Sequence, residues 1–135
     1  MDREQEPEYL LALDSAQADI STARQAADAA LARACPSADR SAIVLVLSEL
    51  LTNAARHTVG PWRLRLRAQR GRVLLEVADE ASALPQPREP DLVEGSGGLG
   101  LHLVYALSSR VEMERNAQGR GKTIRALWFT PVESA

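Results

Sequence analysis

Between Trp62 and Ala68 every second residue is apolar and every residue between is arginine: Trp62, Leu64, Leu66 and Ala68 alternate with Arg63, Arg65 and Arg67. Successive side chains leave a strand on opposite sides, so this period of two describes a strand with one face in a core and the other in water. The chain must therefore build a sheet that is covered on one side. Arg70-Gly71 reads as a turn into Arg72 to Ala78, where Val73, Leu75 and Val77 repeat the pattern, so the two runs form an antiparallel hairpin whose second strand leads directly into Asp79.

The apolar face of that hairpin needs a cover, and the segments before it supply one. From about Ser15 to Ala34 the positions Ile20, Ala23, Ala27, Ala30, Leu31 and Ala34 recur at helical spacing, and Pro36 marks the stop. A second helix begins near Ser37 or Asp39, either of which can cap it, and carries Ile43, Val44, Leu47, Leu50, Leu51 and Ala54 on one stripe before ending near His57. The short run Tyr9 to Leu13 reads as an edge strand. After a proline-studded loop from Glu80 to Gly97, a helix to about Ser109 turns Leu99, Leu103 and Ala106 or Leu107 inward. Strands at Val111 to Arg115 and Thr123 to Phe129, joined by the turn-rich stretch from Asn116 to Gly121, close the chain. This order predicts an α/β two-layer sandwich, a mixed but mostly antiparallel sheet with helices on one face.

Composition bounds what such a domain does. At 135 residues, 45% of them hydrophobic, the chain has room for one core, expected over residues 9–130 between an acidic flexible tail at 1–8 and a short tail at 131–135. With 16 Lys+Arg against 18 Asp+Glu, its net charge of −2 argues against direct nucleic-acid binding. No apolar run approaches the roughly 20 residues of a membrane span, and the acidic start is unlike a signal peptide, so the expectation is a cytoplasmic protein without membrane contact. The lone Cys35 excludes an internal disulfide. The basic residues are 15 Arg and a single Lys122.

Three segments carry possible chemistry. On an ideal helix a step of four residues advances about 40° beyond a full turn, so Glu49, Asn53 and His57 form a polar stripe beside the apolar one. Glu49 can take a proton or orient a hydroxyl, and Asn53 offers a hard neutral oxygen to Mg²⁺; taken alone, the same stripe is also what a solvated helix face looks like. Four glycines between Gly95 and Gly100 open a helix, where exposed N–H groups and the helix dipole favour phosphate. Their spacing also fits a dinucleotide fingerprint, but no strand leads into Gly95, and no Gly-Lys-Ser/Thr follows to make a P-loop. Asp79, at a strand exit, is either a turn former or an acceptor for the exocyclic amine of adenine. The loop from 80 to 97 is longer than most structureless connections and is expected to act as a lid.

Taken in this order, Glu49-x-x-x-Asn53 with Arg56-His57, then Val77-Ala78-Asp79, then Gly95 to Gly100, then Gly121-Lys122-Thr123, resemble the GHKL (histidine-kinase-like) ATPases. Within them the chain looks most like the small stand-alone domains related to anti-sigma-factor serine kinases. The resemblance spans about Leu10 to Phe129 and implies the Bergerat ATP-binding fold with ATP and Mg²⁺ as cofactors. It further implies Glu49 as general base, Asn53 as Mg²⁺ ligand, Asp79 as adenine contact and Gly98 and Gly100 as phosphate contacts. Gly95, Gly97 and Leu99 would complete the phosphate-binding turn, Thr123 would supply a nucleotide-site hydroxyl, and Arg56 and His57 would line the site. The chain departs from the family after Asp79, where Glu80-Ala81-Ser82-Ala83 stands in place of a glycine-containing turn.

The function so implied is an ATP-binding regulatory protein that binds a sigma factor and phosphorylates a serine of an antagonist protein, with a second copy of the chain as a further partner. The alternative is a nucleotide-gated interaction module without kinase activity. A third reading, a domain that no longer binds nucleotide, rests on the missing turn glycine.

Overall fold

A computed structural model of the chain describes residues 9–57, 61–69, 71–80, 90–91, 96–97, 99–115 and 121–131. Its elements run β1 (Leu11–Asp14), α1 (Ile20–Ala34), α2 (Arg40–His57), β2 (Arg63–Gln69), β3 (Arg72–Asp79), β4 (Pro90–Asp91), β5 (Ser96–Gly97), α3 (Leu99–Leu107), β6 (Arg110–Arg115) and β7 (Lys122–Phe129). Five strands form one sheet in the order β1-β2-β3-β7-β6, and every neighbouring pair is antiparallel. The two hairpins expected from the sequence are thus joined edge to edge, β3 against β7. The α/β sandwich with a mostly antiparallel sheet is the architecture observed.

The alternation at Trp62 to Ala68 translates into burial. Trp62, Leu64 and Leu66 are buried, as are Val73, Leu75 and Val77 on β3 and Ile124, Ala126 and Trp128 on β7. These side chains meet Ile43, Val46, Leu47, Leu50, Leu51 and Ala54 from α2, Ala23, Ala27 and Leu31 from α1, and Leu101 and Val104 from α3 in a single cluster. Each fully buried Leu or Ile contributes roughly 1.5–3 kcal/mol by leaving water, which is why one helix-covered sheet face suffices for a chain of this length. Glycine is required at the β2–β3 turn: Gly71 has φ 82°, in the left-handed region that disfavours other residues. The backbone N–H of Thr130 donates to the Gly71 carbonyl at 2.9 Å, fastening this turn to the end of β7.

The structure departs from the periodicity at three places. α1 begins at Ile20 and not near Ser15, because Asp14 first holds a turn, accepting from the N–H groups of Ala16 and Gln17 at 2.9 and 3.1 Å. Asp19 then caps the helix, its carboxylate accepting from the Thr22 N–H at 2.8 Å. On α3 Leu101 and Val104 are buried and Leu107 packs against the core as expected, whereas Leu103 is half-buried and Ala106 exposed; the side chain of Leu99 lies outside the described residues. That helix is apolar nearly all round, so spacing alone does not select a face. Within the stretch from Glu80 to Gly97, β4 and β5 pair as a two-stranded antiparallel ribbon, Pro90 opposite Gly97 and Asp91 opposite Ser96; the rest of the expected lid lies outside the described residues. Among the described residues no helix is long and apolar enough to cross a membrane.

Candidate functional site

The second helix is the platform of the site. Asp39 starts it by accepting from the Ala42 N–H at 3.2 Å, and its apolar stripe locks the helix onto the sheet. Glu49 and Asn53 stand one turn apart at the margin of that stripe, between the buried Leu50, Leu51 and Ala54, and both are half-buried. Packing on one side and access on the other is the environment a carboxylate and an amide need to face a polar ligand. Arg56, one turn beyond Thr52, is exposed, and His57 ends the helix with its side chain outside the described residues.

The third helix packs against α2, so the element opened by the glycine cluster lies beside the one that carries Glu49 and Asn53. Leu99 and Gly100 form its first residues, and Gly97 closes β5 immediately before it. Gly95 and Gly98 lie outside the described residues. The far end of α3 is held by the indole N–H of Trp128, which donates to the Leu107 carbonyl at 2.7 Å.

Asp79 ends β3 on the helix-facing side of the sheet and is buried. Directly opposite in the β3–β7 register is Lys122, whose ammonium donates to the Asp79 carboxylate at 2.6 Å. Both side chains are only 3% exposed. Asp79 and Lys122 are the only buried charged residues among those described. Thr123 follows Lys122 but pairs with Ala78, and alternation along β7 puts it on the face away from Ile124, Ala126 and Trp128. The residue that β7 brings to Asp79 on the helix-facing side is therefore Lys122. Two signals for it existed in the sequence: it keeps period-two phase with Ile124, Ala126 and Trp128, and it is the one lysine among 15 arginines.

Beside Asp79 the ends of the first three strands enclose a pocket of about 190 Å³, with Asp14, Arg63, Asp79 and Glu80 in its wall. None of its lining residues comes from α2. On the uncovered face of the sheet, Arg125 reaches Glu114 at 2.6 Å and Glu76 at 2.7 Å. Glu114 first and Glu76 second raise the guanidinium above its ordinary pKa. Arg65 and Arg67 stand over the Tyr9 ring at 5.4 and 5.9 Å from its centre. On this face of β2, Arg63 and Arg65 are exposed, whereas Arg67 is half-buried.

A helix-covered antiparallel sheet, with an acid and an amide on one helix, a buried carboxylate at a strand exit and a glycine-rich sequence before α3, is the arrangement expected of a histidine kinase-like ATPase domain. Residues 13–128 match the family of histidine kinase-like ATPase domains, and the chain belongs to that family. Among solved structures it is similar to the histidine kinase domain of the E. coli osmosensor EnvZ, determined by NMR, with 16% sequence identity and a TM-score of 0.52 over 97% of this chain and 95% of that one. At that identity the likeness speaks for the fold. Comparison with curated proteins finds no match.

Proposed function

We propose that the chain is an ATP- and Mg²⁺-dependent regulatory protein of the anti-sigma-factor serine kinase type, which binds a sigma factor and phosphorylates a serine of an antagonist protein. The observation that carries the catalytic part is the pair Glu49 and Asn53, one turn apart and half-buried on the flank of α2. A half-buried carboxylate with an open side can accept a proton from an incoming hydroxyl, and an amide oxygen one turn away suits a hard cation.

In this reading Asp79 accepts from the exocyclic amine of the base, and the backbone N–H groups around Gly98 and Gly100 meet the phosphates. Mg²⁺, when bound, would offset phosphate charge, and Asn53 would be its ligand from this chain. Glu49 removes the proton from the serine hydroxyl as the serine oxygen bonds to the terminal phosphorus and the bond to the departing diphosphate oxygen breaks. The phosphates have no P-loop lysine to rely on, because the one lysine of the chain is committed to Asp79. A second copy of the chain belongs with the sigma factor and antagonist among the proposed partners.

The alternative, a nucleotide-gated interaction module without phosphoryl transfer, is favoured by the uncovered sheet face, where Phe129 is 64% exposed opposite the exposed Arg72. The two readings separate in one experiment. The chain is incubated with ATP, Mg²⁺ and a candidate antagonist protein, and serine phosphate is read by mass spectrometry. Phosphoserine that disappears with Glu49→Gln supports the kinase; nucleotide binding with no phosphoserine, and no effect of Glu49→Gln, supports the module.

A further inference from the structure

The lysine beside Asp79 has no part in the scheme above, and its position is costly. Two buried charges gain little net stability from pairing, and an apolar pair of the same volume commonly serves a fold as well or better. Yet here the chain buries its only lysine, and it does so against the carboxylate at the strand exit. Elsewhere every basic position is arginine. The difference is chemical: arginine presents a large, planar fork of five donors in fixed directions, whereas an ammonium is a compact group with three donors arranged around one point.

We infer that Lys122 is a base-specificity residue, donating to the ring nitrogen of adenine that adjoins the exocyclic amine accepted by Asp79. This rests on the ATP-binding reading proposed above. The argument is geometric. The polar ends of Asp79 and Lys122 are 2.6 Å apart on the same side of the sheet, a spacing suited to two adjacent polar atoms on one ligand edge. That edge of adenine carries a donor, the amine, next to an acceptor, ring nitrogen N1. An aspartate alone satisfies the donor and leaves the acceptor to be desolvated without a partner, which is expensive in a buried site. The Asp79–Lys122 pair is an acceptor next to a donor, the complement of that edge. Lys122 also supplies a side-chain donor beside Asp79, after which the sequence Glu80-Ala81-Ser82-Ala83 contains no glycine.

The test compares Mg²⁺-ATP with Mg²⁺-1-deaza-ATP, in which a C–H replaces N1 and the amine is kept, by calorimetric titration of the unmodified chain and of Lys122→Met. The expected result is that the deaza analogue binds the unmodified chain roughly 10- to 100-fold more weakly than ATP, the loss of one hydrogen bond from a charged donor. In Lys122→Met the two nucleotides bind alike. Equal affinity of the unmodified chain for both overturns the inference while leaving ATP binding intact, and so does discrimination that survives Lys122→Met. Should Lys122→Met not fold, the comparison in the unmodified chain decides by itself. If neither nucleotide binds the unmodified chain, the ATP-binding reading falls and the inference with it.

Discussion

Trp128 and Leu107 are joined across the layer boundary: the indole N–H of β7 donates to the last carbonyl of α3 at 2.7 Å, while the ring itself lies in the core. The bond satisfies a carbonyl that no helical N–H can reach and fixes the helix that the glycine cluster opens. Trp128→Phe keeps most of the packing and removes the donor. The expected cost is about 1 kcal/mol of unfolding free energy, with faster amide hydrogen exchange confined first to α3. Urea denaturation and exchange measured by mass spectrometry check the two parts separately.

The buried pair makes a sharper thermodynamic prediction. Removing one partner leaves the other charge buried without compensation, so Lys122→Met is expected to destabilise the fold by about 3–5 kcal/mol. Combining it with Asp79→Leu is expected to recover most of that loss, because the uncompensated charge is gone. A double-mutant cycle from urea melts measures the coupling; additive effects would show that the 2.6 Å contact does not hold in solution.

Glu49 and Asn53 are predicted to fail differently. Glu49→Gln preserves shape and is expected to leave nucleotide affinity unchanged while lowering phosphoryl transfer by roughly 10²- to 10⁴-fold, the usual contribution of a general base. Asn53→Ala is expected to weaken Mg²⁺-dependent nucleotide binding itself. Both residues are half-buried at the edge of the α2 stripe, so neither change empties the core, and thermal melts should stay close to the parent.

Much of this was legible in the sequence, for reasons that differ by element. The strands β2, β3 and β7 were readable because each has one buried and one wet face, as Leu64 and Leu66 against Arg63 and Arg65 show. The second helix was readable because its apolar residues fall on one side and Asp39 announces its start. The buried face of α3 was not, since Leu99, Leu101, Leu103 and Val104 satisfy more than one stripe. Nor was the start of α1, where the choice between Asp14 and Asp19 depends on which backbone groups each carboxylate reaches. At the site, Asp79 stood out as a strand-exit carboxylate, but its partner is 43 residues away and is selected by the β3–β7 register, a long-range pairing that local pattern does not encode. Thr123, one position on, matched a motif; the alternation of β7 turns Lys122 toward the helices in its place.

Asp19 gives the fold a defined acid sensitivity. The backbone N–H of Thr22, and then its hydroxyl, hold the Asp19 carboxyl below its ordinary value of 3.8. A carboxyl depressed in the folded state contributes stability that is present above its unfolded pKa and lost as pH falls through its folded pKa. Stability should therefore decline below about pH 4 in part through this cap. Asp19→Ala should lower the melting temperature at neutral pH, whereas Asp19→Asn keeps an acceptor at the helix start and removes the acid dependence. Melting curves at several pH values, with the Asp19 carboxyl followed by NMR, check the sign.

Calorimetric titration with ATP in the presence and absence of Mg²⁺ tests the central claim most directly. The account predicts saturable binding at one nucleotide per chain that strengthens with Mg²⁺ and loses that dependence in Asn53→Ala. A folded chain that shows no saturable binding of ATP, with or without the metal, would contradict it.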